Sequence, residues 1–208
     1  MVSSLDLIEM FSEIAVAMSE NRERLCDLDR QDGDGDHGVT MNYAFTALES
    51  ELTALDPAEV PPARLFDLAA ETFLKIDESS TALYASAFRR AGSALFRHKR
   101  IGVHEFGQAL TAMTQGFRDH GHAGDDRRNV RDVWEIATAA YLETEKNGGA
   151  LEDCLEAALA AAASGRHLAQ GGRQQTDGAP PDFTGLDAGG ASALLVIRAM
   201  RDALSETE

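Results

Sequence analysis

Leu28-Asp29-Arg30-Gln31-Asp32-Gly33-Asp34-Gly35-Asp36-His37-Gly38 is the stretch on which the reading of this chain turns. It packs four aspartates, three glycines and one histidine into eleven residues. Carboxylates this close repel one another, which raises their pKa values or demands a cation. The spacing of apolar residues on either side is helical. Leu5, Ile8, Phe11, Ile14 and Met18 precede the stretch, and Met41, Phe45, Leu48 and Leu52 follow it. The acidic run therefore reads as a loop that opens a helix, not as a hairpin. Asp34 and Asp36 stand two apart, so in an extended segment their side chains leave on the same side. Asp29 folds back toward them if Asp32-Gly33 turns. Three carboxylates suit Mg²⁺, which keeps waters and completes its shell with substrate phosphates. The first N–H groups of the next helix are unpaired and attract anions. Metal plus helix N-terminus is a phosphate site in outline. An EF-hand needs glycine where His37 sits and a bidentate acid where Tyr43 sits, so it fails. The bland alternative is a solvated acidic turn.

Working outward, the same periodicity recurs along the chain. One segment runs from about Leu5 to Arg24, with Ser3 or Ser4 available as its cap. A second begins near Gly38 and stops before Asp56-Pro57, and a third starts after Pro61-Pro62. The fourth opens around Ser79–Thr81 and the fifth at Val103, ending near Gly121. Asn129 caps a sixth, which Asn147-Gly148-Gly149 stops. A seventh runs from Leu151 to near Gly165, and the eighth follows Asp187-Ala188-Gly189-Gly190. Eight helical patterns with no alternating β-branched run predict an all-α bundle of eight helices, antiparallel and up-and-down by their mostly short connections. Residues 1–208 are expected to form a single domain. The stretch from Gly165 to Gly185 is rich in Gly, Pro and Gln and is expected to be a long loop.

The formal charge of −16 argues against nucleic-acid binding, which rests on Lys and Arg neutralising phosphates. Cys26 and Cys154 match no disulfide or zinc spacing, which favours a reducing setting. No apolar run approaches the roughly 18 residues of a membrane span, and Met1–Asp6 lacks a basic region before an apolar core. A cytoplasmic location with no membrane partner is the expectation. Elsewhere the chemistry is sparser. Ser79-Ser80-Thr81 reads as a helix cap. Arg127, Arg128 and Arg131 would neutralise phosphates or form a solvated face, and Trp134 reads as core. No nucleophile elbow and no P-loop are present.

Leu28-Asp29…Gly33-Asp34-Gly35-Asp36-His37-Gly38…Met41 resembles the signature of the nucleotide-binding L subunit of dihydroxyacetone kinase. The resemblance extends along essentially the whole chain. Ser80 with Leu83-Tyr84 stands where the family has Gly-Gly-Ala-Ser-Gly-Pro-Leu-Tyr/Phe. Gly165-Arg166…Gly171…Arg173 is similar to its Gly-Arg-Ala-Ser-Tyr-Leu-Gly-Glu-Arg loop, and Asp187-Ala188-Gly189-Gly190-Ala191-Ser192 to its Asp-Pro-Gly-Ala-Thr-Ser. Two stretches depart from it. Asp77-Glu78-Ser79-Ser80-Thr81-Ala82 replaces the glycine-rich run, and Asp126-Arg127-Arg128-Asn129-Val130 replaces Gly-Asp-Lys-Thr-Met.

The resemblance implies an eight-helix barrel with ADP or ATP bound across one end. Two Mg²⁺ ions would be held by Asp29, Asp34 and Asp36. His37, Gly38, Val39, Thr40, Ser79 and Ser80 would contact phosphates, and Gly121, Val130, Arg166, Asp187, Ala188 and Gly189 would line the rest of the nucleotide site. Beyond the metal ligands no catalytic residue is expected on this chain. A separate K-type subunit would hold the ketose, since 208 residues leave no room for one here. In the phosphotransferase-system form, an M-type phosphohistidine protein recharges the bound ADP. The rival expectation is a non-catalytic, regulatory paralogue with weakened nucleotide binding.

Overall fold

Ser3 starts the first helix by a reciprocal cap: its hydroxyl accepts the Asp6 N–H while the Asp6 carboxylate accepts the Ser3 N–H. From there a computed structural model describes residues 1–120, 128–164 and 182–205. The helices are α1 (Ser4–Glu20), α2 (Arg22–Asp29), α3 (His37–Leu52), α4 (Pro62–Leu74) and α5 (Ser79–Leu95), then α6 (Val103–His120), α7 (Val130–Lys146), α8 (Leu151–Ser164) and α9 (Ala188–Leu204). Among the described residues there is no strand, only two isolated bridges, Val2 with Ile101 and Arg128 with Leu186. The fold is all-α, as the periodicity predicts.

Nine described helices replace the eight expected because the first segment breaks in two. Asn21 is the pivot. Its side-chain Nδ2 donates to the Ala17 carbonyl at 3.0 Å, and its Oδ1 accepts from Arg24 at 3.1 Å. The amide thus satisfies groups freed at the end of α1 and lets the chain turn into α2. That extra helix matters, because its last residue is Asp29.

Neighbouring helices run antiparallel. Tyr84 meets Phe73 and Phe88 meets Phe66 across α4 and α5. Across α6 and α7, Thr114 meets Thr138 and Arg118 meets Glu135. Side chains at helical spacing fill the interior, with Leu7, Met18, Leu25, Met41, Phe45, Leu65, Phe73, Phe117 and Val133 wholly buried. Phe88 sits within 6.4 Å of five other rings, from Phe11, Phe45, Phe66, Phe73 and Tyr84. Tyr84 then packs edge-on to Phe117, which stacks on Trp134 at 5.6 Å. Such pairs add about 0.5–1.5 kcal/mol each beyond the area they bury. The aromatic chain runs from α1 to α7 and fixes α5 under the acidic loop. α9 is apolar on nearly every side, with Ala191 through Ile197 all buried. No described helix is long and apolar enough to cross a membrane.

Candidate functional site

The acidic loop closes on the carboxylate of Asp29. The Gly33 N–H donates to the Asp29 carbonyl at 2.6 Å and the Asp32 N–H does so at 3.1 Å, which is the turn expected at Asp32-Gly33. Asp29 Oδ2 then accepts the N–H groups of Gly35, Asp36 and His37 at 2.8, 3.1 and 3.3 Å. A side chain from α2 thereby occupies the free donors at the start of α3, where a negative charge is favoured by the helix dipole. Two glycines permit it. Gly35 holds φ at +85°, which side chains rarely adopt, and a Cβ on Gly33 would lie 2.6 Å from Asp29 Oδ1.

With the loop closed, one ligand atom from each of Asp29, Asp34 and Asp36 lies within 4.8 Å of the others. Asp29 is half-buried; Asp34 and Asp36 are exposed. Lost solvation raises the Asp36 pKa above its ordinary value, and Asp34, Glu78 and Asp29 add to the rise. This is the repulsion that a divalent cation would relieve. The donor set is all oxygen, which fits Mg²⁺. Asp32 is exposed and not among the three grouped carboxylates. Glu78, which the sequence shows as an acid in the family's glycine-rich run, has an effect on the metal loop that the sequence did not show. Its charge acts on Asp36 from the residue just before α5, and only its place beside Ser79 hinted at that.

Four helix N-termini gather at this end. α3 starts at His37, directly after the metal loop. α5 is brought in at Glu78. The ring of His37 reaches α9, with Nε2 3.1 Å from Ser192 Oγ. α7 and α9 are stitched together: the Arg128 N–H donates to the Gly185 carbonyl at 3.0 Å, and the Asp187 N–H donates to the Arg128 carbonyl at 3.1 Å. A Cβ on Gly189 would touch Val130, at 3.6 Å. Asp187 caps α9 through the Gly190 N–H at 2.6 Å, with Ala188 buried behind it. Burial lowers the His37 pKa, against an opposing pull from Asp29.

The structure thus assembles Asp29, Asp34, Asp36, His37 and Gly38 at one point, and joins them to Asp187, Ala188, Gly189 and Val130. Val39 is exposed and Thr40 half-buried on the first turn of α3. Ser79 and Ser80 open α5, but neither caps it, and their hydroxyls have no hydrogen-bond partner among the described residues. Thr81 instead turns inward and donates to the carbonyls of Ile76 and Glu78, both at 2.9 Å. Gly121 and Arg166 lie outside the described residues, as do Arg127 and Arg173. Arg128 is spent on structure: its guanidinium donates to the Ala162 carbonyl at 2.8 Å and closes the end of α8. Arg131 pairs with Glu135 at 3.2 Å. Among these five arginines, the two described ones do not form the free phosphate clamp that their sequence offered.

A family model for the DAK2 domain matches residues 32–202. The chain is 27% identical over 153 residues to the ADP-binding subunit DhaL of PEP-dependent dihydroxyacetone kinase 1 from Listeria innocua, covering 73% of this chain and 74% of that one. It is 24% identical over 164 residues to the ADP-binding subunit DhaL of the PEP-dependent dihydroxyacetone kinase from Escherichia coli, covering 78% and 77%. Among solved structures it is similar in fold to the dihydroxyacetone kinase from C. freundii in complex with AMP-PNP and Mg²⁺. The TM-score is 0.66 at 24% identity, covering 94% of this chain and only 33% of that one.

Proposed function

From a chain that belongs to the DAK2 domain family, as a divergent DhaL-like member, we propose an ADP- or ATP–Mg²⁺-binding subunit of a dihydroxyacetone-type kinase. It would pass a phosphoryl group from bound nucleotide to a ketose held by a separate K-type subunit. An M-type phosphohistidine protein would recharge the nucleotide in a phosphotransferase-system arrangement. Residues 1–208 act as one nucleotide-binding domain, in the cytoplasm. The observation that carries this reading is the closure of three aspartates within 4.8 Å at a convergence of helix N-termini.

The residues divide the work as follows. Asp29, Asp34 and Asp36 hold the cation, taken as two Mg²⁺ ions, and Asp29 also fixes the loop by accepting three backbone N–H groups. Bound Mg²⁺ supplies neutralisation of the phosphate charge that develops in phosphoryl transfer. The N-termini of α3 and α9, with Gly38, Val39, Ala188 and Gly189, present backbone N–H groups to an anion, while Thr40, whose N–H donates to the Asp36 carbonyl at 3.0 Å, offers its hydroxyl. The unpartnered hydroxyls of Ser79 and Ser80 are free to donate to phosphate, and Val130 lines the wall; Gly121 and Arg166, outside the described residues, would join it by the family resemblance. Among the described residues at this end, the imidazole of His37 has a ring nitrogen committed to Ser192 and is not free to act as a general base. The reading assigns the acid–base group for the sugar hydroxyl to the K-type partner.

Glu78 supports the second reading, a regulatory paralogue with weakened nucleotide binding. A carboxylate acts on Asp36 from the helix that should cradle phosphates. One experiment separates the two. The purified protein is denatured and its supernatant assayed for ADP, and ADP is titrated into metal-stripped protein with and without Mg²⁺. Mg²⁺-dependent binding that Asp34→Asn and Asp36→Asn each weaken at least tenfold is the expected result. ADP binding that ignores chelator and both substitutions would overturn the metal assignment.

A further inference from the structure

Beneath the metal loop lies a buried polar cluster that the proposed reaction does not use. Ser192, at the start of the second turn of α9, is wholly buried, and its hydroxyl donates to the Gly189 carbonyl at 2.9 Å. Since that proton is committed, the 3.1 Å contact with His37 Nε2 is carried by the proton of the imidazole, which fixes the neutral ring as its Nε2–H tautomer. The backbone N–H of the same histidine is held from another side, by Asp29 Oδ2 at 3.3 Å. His37 is therefore pinned at both ends, by α2 through its backbone and by α9 through its ring.

Two further groups continue the cluster from the same serine. The Tyr84 hydroxyl faces Ser192 and the indole of Trp134. Tyr84 and Trp134 are each 1% exposed, and neither the hydroxyl nor the indole Nε1 reaches hydrogen-bond distance of a partner. Buried donors left unpaired are costly, so two of them in line behind one hydroxyl, Tyr84 facing Ser192 and Trp134 facing Tyr84, mark a place where polarity is retained for more than packing.

We infer that Ser192 is a positioning residue: by holding the His37 ring, with Tyr84 and Trp134 behind it, it locks the metal loop to the N-terminus of α9. The inference rests on the proposed nucleotide site for its functional consequence, but not for its structural one. Without the serine, the two halves of the site, metal on α2–α3 and anion donors on α9, lose their common anchor.

The test uses Ser192→Ala and Ser192→Cys, which delete the hydroxyl at nearly constant volume, and Ser192→Thr, which keeps it. In the metal-free full chain, nitrogen NMR of the ring should show the Nε2–H tautomer of His37 in wild type and in Ser192→Thr, and mixed tautomers in the other two. Mg²⁺-dependent ADP affinity should fall roughly tenfold in Ser192→Ala and Ser192→Cys while the melting temperature stays within a few degrees. If either folded hydroxyl-deleting variant keeps both the ring signature and the wild-type affinity, the inference is overturned. If wild type binds no ADP at all, the proposed function fails, yet the ring signature still decides whether Ser192 orients His37.

Discussion

Gly38→Ala is the sharpest probe of how this site is held. A Cβ at Gly38 would lie 2.0 Å from the Arg22 carbonyl oxygen and 2.9 Å from Cys26 Sγ. The nearer atom is backbone, so no side-chain rotation relieves the clash. Carbon and carbonyl oxygen settle at about 3.3 Å or more, so α2 and α3 would have to part by roughly 1.3 Å. The three N–H groups that Asp29 accepts start at 2.8, 3.1 and 3.3 Å. An added ångström takes them past the distance at which such bonds count. Overpacking of this kind costs about 1–3 kcal/mol. In a chain of this size that corresponds to a melting temperature lower by roughly 3–10 °C.

The functional loss should exceed the structural one. Asp29 belongs to α2 while Asp34 and Asp36 belong to the loop before α3, so the same displacement pulls apart the three ligand atoms now within 4.8 Å. Calorimetry of ADP with saturating Mg²⁺ should show affinity down at least tenfold, beside a scanning melt of the same sample. Wild-type melting together with wild-type Mg²⁺-dependent affinity would refute the reasoning, because it would mean that α2 and α3 do not approach this closely.

Two other outcomes follow from the charges around the loop. Glu78→Gln removes a carboxylate that acts on Asp36. Metal-free stability should rise, Mg²⁺ affinity should fall, and ADP affinity at saturating Mg²⁺ should rise, all read from titration and melting. Asp36 itself binds its proton more tightly in the folded chain than at its ordinary value of 3.8, so the metal-free protein loses stability as pH rises from there through the raised value. The sign is opposite to that of Glu51 and Glu71, whose pKa values are lowered by Lys75 and Arg64. Urea midpoints in chelator should therefore show wild type falling relative to Asp36→Asn across that window; parallel curves would remove Asp36 from the cluster.

Most of the fold was legible because helix periodicity is a local signal. Asn129 and Asp187 announced α7 and α9 by their own side chains, and both cap as expected. The break at Asn21 was not legible, because Leu25 continues the apolar face and the turn depends on where α2 packs. The metal half of the site was readable for a similar reason: spacing alone brings Asp34 and Asp36 together, and one turn returns Asp29. The phosphate half depends on tertiary partners. Arg128 looked like a phosphate ligand until the end of α8 took its guanidinium. Thr81 looked like a cap until it turned inward to Ile76. Ser192 showed only as part of a motif, since its partners His37 and Tyr84 are far away in sequence.

The charge balance at this end makes one more demand on the proposed reading. Each helix N-terminus is worth about half a positive charge, so four of them supply roughly +2. Against them stand the three ligand carboxylates and Glu78, in a chain of formal charge −16. Summed over these described groups the end is still negative, so polyphosphate arriving without metal is repelled by them. Two divalent cations reverse the sign, so metal must precede or accompany the nucleotide. A relative with glycine in place of Glu78 would start closer to neutral and depend on metal less steeply. ADP titrated into fully chelated protein should give no binding heat, and its apparent affinity should climb steeply with Mg²⁺ before reaching a plateau. Should ADP bind the chelated protein as well as it binds with Mg²⁺, the carboxylates are not facing the phosphates, and the nucleotide lies elsewhere on the barrel.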